Sequence, residues 1–251
     1  MVDLMLTSLH IYLPVLLMLC TLATCKCEVA EQNITGWLGQ DDVRLPCNFI
    51  HQDVIVALYW SKQKDPTKAG EVDSTKASYF KKQLNSLEDR FTLNEDFSLS
   101  ISDLQVADEG RYLCQVEFES DRSLLKYQTL TVYARVSTPE IEQCDQEPTG
   151  NESHTFCTMK TPNTQPFDLT CRVTGFKPNV TLQWMSSVDT MQSDREPYQL
   201  TLLDGTLEQK ITIIVTAQPD MDQPYTCTVN GEATNGTERS STITVRYHPV
   251  I

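Results

Sequence analysis

Residues Asp89–Glu117 read DRFTLNEDFSLSISDLQVADEGRYLCQVE, and the end of this stretch decides the fold. Asp108, Gly110, Tyr112 and Cys114 complete a set that begins at Cys47 and passes through Trp60. The set recurs further on as Cys171, Trp184, Tyr225 and Cys227. In each copy the tryptophan lies thirteen residues after the first cysteine, and a tyrosine lies two before the second. Around these landmarks apolar residues alternate with polar ones: Val43, Leu45, Cys47, Phe49; Val56, Leu58, Trp60; Phe97, Leu99, Ile101; Tyr112, Cys114, Val116; Leu130, Val132. A period of two marks a strand with one buried face. Short alternating strands with no helical stretch predict an all-β protein, and the duplicated set predicts two units in tandem.

The Cys…Trp…Tyr-x-Cys spacing resembles that of the immunoglobulin superfamily, over essentially all of the chain after its N-terminal segment. The resemblance implies two tandem immunoglobulin-like β-sandwiches, with disulfides Cys47–Cys114 and Cys171–Cys227 packed on Trp60 and Trp184. It also implies that Tyr112 and Tyr225 are tyrosine corners, their hydroxyls bonded to nearby backbone, and that Arg90 pairs with Asp108 across the bottom of the first sandwich as a structural ion pair. The two cysteine spacings differ, 67 against 56 residues. The extra length falls between Trp60 and Phe97, where a variable-type domain carries its additional edge strands, while the shorter spacing suits a seven-stranded constant-type domain. The expected division is a signal peptide over 1–25, a variable-type domain over 29–134 and a constant-type domain over 139–247, with a short linker at 134–138 that restricts motion without abolishing it.

Asp89–Glu117 is similar to the variable-type domain of butyrophilins and T-cell co-stimulatory ligands. Leu169–Met185, LTCRVTGFKPNVTLQWM, resembles a constant-type domain, with Gly175-Phe176-Lys177-Pro178 where that group carries Gly-Phe-Tyr-Pro. Tyr225-Thr-Cys227-Thr-Val229 continues the likeness. Nectins share the variable-then-constant order. Antigen-receptor variable domains end in Phe-Gly-x-Gly, but Leu125–Val132 here contains no glycine. That argues against a rearranging receptor chain and against antibody-style pairing.

Composition limits what such a scaffold could do. The 251 residues carry a formal charge of −14, which repels nucleic acid and anionic membranes at long range. Nine glycines leave little for phosphate-binding loops. Leu9–Ala23 is almost wholly apolar, too short for a confident membrane span and suited to a secretory signal, although Asp3 and no lysine or arginine precede it. Cleavage after Ala23 or after Cys25 both fit, and the choice sets the fate of Cys25 and Cys27. Sequons at Asn33, Asn151, Asn179 and Asn235 predict glycosylated extracellular surface. With two pairs implied by the resemblance, Cys144 pairs with Cys157 by elimination, or else with another chain. The C-terminal Arg246–Ile251 reads as a linker into a further segment. The protein is expected to be secreted, or to stand on the outer face of the plasma membrane if an anchor is missing.

Chemistry has little to stand on. None of the four histidines sits in a catalytic motif, no Cys/His cluster offers zinc ligands, and the acidic pairs Asp41-Asp42, Glu88-Asp89 and Glu95-Asp96 fall at turn-like positions. The chain reads as a binding protein and not an enzyme, with no cofactor, no nucleic acid and no small-molecule substrate. Its expected partner is a protein receptor on another cell or a second copy of itself. Variable-type ligands of the resembled kind bind through the sheet of strands C, C′, F and G. If Trp60, Tyr112, Cys114, Val116, Leu130 and Val132 point inward, then Tyr59, Ser61, Leu113, Gln115, Glu117 and Tyr127 point outward, and Phe118 extends their patch. Three functions follow from the resemblance: a ligand modulating T cells or other lymphocytes, a nectin-like adhesion molecule, or a soluble immune recognition or decoy protein.

Overall fold

The computed structural model describes residues 31–49, 53–64, 71–80, 83–144, 147–162, 164–187, 189–219 and 221–248. The expected signal peptide, with Cys25 and Cys27, lies outside them. Among the described residues nine strands run between Gln32 and Tyr133: β1 (Gln32–Trp37), β2 (Val43–Leu45), β3 (Ile55–Gln63), β4 (Val72–Phe80), β5 (Gln83–Ser86), β6 (Phe91–Leu93), β7 (Leu99–Ile101), β8 (Gly110–Phe118) and β9 (Ser123–Tyr133). They form two sheets, β1-β9-β8-β3-β4-β5 and β2-β7-β6. The longer sheet owes β4 and β5 to the extra residues between Trp60 and Phe97, the addition that makes a domain variable-type.

The first core follows the alternation. Leu45, Leu58, Trp60, Leu99, Ile101, Tyr112, Cys114, Val116, Leu130 and Val132 are fully buried between the sheets. Cys47 and Cys114 join the two sheets through a disulfide, Cα to Cα 6.0 Å. The indole of Trp60 donates to Phe97 O at 2.9 Å, satisfying its one polar group in the apolar interior. Val56 departs from the expected inward set and is 41% exposed. A register shift between Ile55 and Ala57 breaks the alternation there and turns it out.

Among the described residues ten strands make the second sandwich: β10 (Glu140–Ile141), β11 (Thr149–Gly150), β12 (His154–Thr161), β13 (Phe167–Phe176), β14 (Thr181–Ser186), β15 (Thr190–Met191), β16 (Tyr198–Thr201), β17 (Leu207–Val215), β18 (Gln223–Asn230) and β19 (Arg239–Tyr247). The sheet β10-β13-β17-β16 has the A-B-E-D order of a constant-type domain. Facing it, β14, β18 and β19 are the C, F and G strands, extended by two-residue β15 on one side and by β12, parallel to β19, on the other. Trp184 is fully buried. Disulfides link Cys171 to Cys227 and Cys144 to Cys157.

The linker is paired rather than loose. Ala134 and Lys177 exchange both backbone bonds, N to O at 2.8 and 3.0 Å, and Val136 N donates to Ala233 O at 3.1 Å. The Lys177 ammonium reaches Glu109 at 2.5 Å, and Tyr133 donates its hydroxyl to Glu232 at 2.7 Å.

Candidate functional site

Strand register fixes the outward side of the first sandwich's six-stranded sheet, because antiparallel partners project to the same face. Four rows cross it. At the end near the Glu119–Ser120 turn stand Gln83, Phe80, Ala57, Glu117 and Ser123. Asn85, Ser78, Tyr59, Gln115 and Leu125 come next, followed by Thr75, Ser61, Leu113 and Tyr127. The last row holds Gln63 and Val72, then Arg111 and Thr129, and Asn33 on the edge strand.

Exposure separates these residues. Phe80 is 49% exposed, Val72 43% and Leu125 40%. Tyr59, Gln115, Glu117, Tyr127 and Arg111 are half-buried. The Arg111 guanidinium lies 4.0 Å from the centre of the Tyr127 ring, over its face, a cation–π contact. Gln115 donates to Glu117 at 3.2 Å.

Three expected face residues are corrected. Leu113 and Ser61 point outward, as alternation requires, yet are only 6% and 7% exposed. Both lie on central strands: Leu113 is flanked directly by Ser61 and Tyr127, and Ser61 by Leu113 and Thr75. They therefore form the floor of the face. Phe118 is 4% exposed, and its ring packs on Phe49 at 6.2 Å inside the core. Sequence reasoning missed Phe80, Leu125 and Arg111. Leu125 lies two residues before Tyr127 and Arg111 two before Leu113, so the same alternation points to both. Phe80 lies in the stretch between Trp60 and Phe97, where edge strands were expected but not positioned residue by residue.

Beside the last row a cleft of about 410 Å³ opens among Lys62, Gln63, Lys64, Asp73, Glu109, Gly110 and Arg111. Among the described residues the Gln63 amide, which lines the cleft, has a partner for neither its oxygen nor its nitrogen. Burial pushes the Lys62 ammonium below its ordinary pKa, against the pull of Asp108. Lys62 donates to Ala107 O.

The expected structural residues are placed as follows. Arg90 grips Asp108 at two points, 2.7 and 2.9 Å. Tyr112 donates its hydroxyl to Asp108 O at 2.7 Å, forming a tyrosine corner. Tyr225 does not: its hydroxyl has no hydrogen-bond partner among the described residues. In the first sandwich a 3₁₀ turn, Val106–Asp108, brings that carbonyl round; the stretch before Tyr225 has no such turn among its described residues. Asn33, Asn151, Asn179 and Asn235 are all exposed.

Among the described residues no group of His, Cys, Asp or Glu could hold a metal. His154 Nδ1 meets Ser240 Oγ at 2.9 Å at an exposed position, and among the described residues no carboxylate orients the other ring nitrogen. No described helix is long and apolar enough to cross a membrane.

The immunoglobulin V-set domain family model matches residues 30–133. The chain is 24% identical over 247 residues to rat (Rattus norvegicus) tyrosine-protein phosphatase non-receptor type substrate 1, covering 90% of this chain and 44% of that protein. The fold is similar to bovine butyrophilin, with a TM-score of 0.59 at 16% identity, covering 86% of this chain and 95% of that one. It is also similar to the full ectodomain (Ig1–Ig3) of mouse nectin-like molecule 4, with a TM-score of 0.62 at 17% identity, covering 86% and 66%. The chain spans less than half the length of the curated relatives it matches. Residues 30–133 thus match an immunoglobulin V-set domain, and the two sandwiches together have the immunoglobulin-like fold of these solved structures.

Proposed function

We propose that this chain is the ectodomain of a cell-surface or secreted recognition protein. It binds a protein on another cell through the outer face of its first sandwich and so modulates signalling in T cells or other lymphocytes. One observation carries the reading: Tyr59, Phe80, Leu125 and Tyr127 stand partly or largely exposed on one flat sheet face, with Arg111, Gln115 and Glu117 among them. Aromatic and aliphatic side chains held by a rigid sheet offer large contact area at low entropic cost, and interfaces concentrate their energy in such residues. Three disulfides and four exposed sequons support an oxidising, extracellular setting.

The test is Tyr59→Arg combined with Leu125→Arg in the soluble two-sandwich protein, with leukocyte staining and an unbiased cell-surface receptor screen as readouts. Loss of staining with an unchanged melting curve supports the face. Unchanged binding by the folded double variant removes it.

A second reading, adhesion through a second copy, rests on charge. Arg111 and Glu117 lie on one strand at opposite ends of the face, so a two-fold-related copy sets each against the other. Concentration-dependent dimers abolished by Glu117→Arg and restored by adding Arg111→Glu favour this reading.

A further inference from the structure

Strand β16 is the outermost strand of its sheet, and among the described residues no strand pairs with its second edge. All four of its residues are exposed. Tyr198 and Leu200 project to the same side at 48% and 45% exposed, and Leu203 in the following turn is fully exposed. Tyr198–Leu203 reads YQLTLL, without charge or proline. An open edge with such a segment is a template for pairing with another chain, and natural sheets charge, shorten or cover it.

One group reaches this strand from across the sandwich. Gln199 Nε2 donates to Asn179 Oδ1 at 3.1 Å. Asn179 is exposed, lies between β13 and β14, and opens the sequon Asn179-Val180-Thr181. The hydrogen bond engages the amide oxygen and leaves Nδ2, the atom that carries sugar, without a partner among the described residues. The other sequons are placed elsewhere: Asn33 on β1, Asn151 beside β12 and Asn235 between β18 and β19.

We propose that an N-glycan on Asn179 is the cover of the β16 edge and keeps it from pairing with β16 of a second copy. Its attachment takes an oligosaccharide from a polyprenyl-pyrophosphate carrier. The sugar C1–O bond to the pyrophosphate breaks, a C1–N bond to Asn179 Nδ2 forms, the amide loses one proton, and the carrier leaves as its pyrophosphate. The bond from Gln199 to Oδ1 holds the Asn179 amide, and with it the first sugar, beside the middle of the strand.

Thr181→Ala removes the sequon but keeps Asn179 and its hydrogen bond, while Thr181→Ser keeps both. In sedimentation velocity on the secreted protein, Thr181→Ala should lower the dimer dissociation constant roughly tenfold or more, with Thr181→Ser like wild type. Hydrogen exchange at 198–201 should slow in the dimer, and Leu200→Lys added to Thr181→Ala should restore the monomer where Tyr59→Arg does not. Endoglycosidase treatment of folded protein in which Asn33, Asn151 and Asn235 are glutamine should reproduce the shift without touching Thr181. Three results would overturn the proposal: an unglycosylated Asn179 in the secreted wild type, wild-type sedimentation after the glycan is lost, or dimers that Leu200→Lys leaves intact.

Discussion

Arg90 and Asp108 meet as a two-point pair, with Nη1 to Oδ2 at 2.7 Å and Nη2 to Oδ1 at 2.9 Å. Burial alone would push the Asp108 carboxyl up. The bonds from Arg90 and from Gln105 N outweigh it and hold the carboxyl below its usual range. Removing the arginine strands a carboxylate that is only 4% exposed. Arg90→Ala should therefore lower unfolding free energy by about 3–5 kcal/mol in urea titrations. Arg90→Lys should recover only part, because a single ammonium cannot copy the fork.

The same pair sets an acid limit. A folded pKa below the unfolded one stabilises the fold above the ordinary carboxylate pKa, and the gain is lost as pH falls through the folded value. Urea midpoints of the wild type should hold level above about pH 5 and fall through the range below about pH 4. In Arg90→Ala that fall should be shallower. An equally steep decline in the variant would assign the acid sensitivity to other carboxylates.

The two tyrosine positions look equivalent in sequence and differ in structure. Tyr112→Phe deletes a buried hydrogen bond to Asp108 O and should cost about 1 kcal/mol. Tyr225→Phe deletes a hydroxyl without a partner among the described residues and should be neutral within about 0.5 kcal/mol. Equal losses at both sites would show that Tyr225 finds a partner in solution.

Leu113 and Leu125 point out of the same sheet, and only one of them is available to a partner. Leu113→Ala should cost about 2–3 kcal/mol, since it empties the floor of the face. Leu125→Arg should leave stability within about 0.5 kcal/mol while lowering affinity for the partner. Thermal unfolding of both variants, run beside binding, separates the two effects.

These contrasts mark what was legible in the sequence. Direction was, because period two fixes which way Tyr59, Gln115, Glu117 and Tyr127 face once Trp60, Cys114 and Leu130 are known to face in. Availability to solvent was not. It depends on neighbours in other strands, so Leu113 disappears beneath Tyr127 and Ser61 while Leu125, at a strand farther from the centre, stays exposed. Phe80 needed β4 to be recognised, and its sequence, VDSTKASYF, alternates too weakly to announce a strand. The hydroxyl of Tyr225 was beyond reach because the motif specifies the tyrosine and leaves the turn before it unstated.

The junction behaves as a clasp with identifiable parts. Lys177 holds Ala134 through two backbone bonds and Glu109 through its ammonium. On another side Gly205, at φ +81°, approaches Val106 so closely that a Cβ would stand 2.8 Å from Val106 Cγ1. An alanine there meets both a left-handed backbone and a steric clash. Gly205→Ala should therefore loosen the junction, and Lys177→Ala should do so by removing the ion pair while sparing the backbone bonds. The first change should broaden the distance distribution in small-angle scattering more than the second. In both variants the first sandwich should keep its exchange protection around Trp60, because its own core is untouched. Distributions identical to wild type in both variants would mean that the reciprocal Ala134–Lys177 bonds alone set the angle between the sandwiches, and Ala134→Pro, which deletes one of them, would then be the change that frees it.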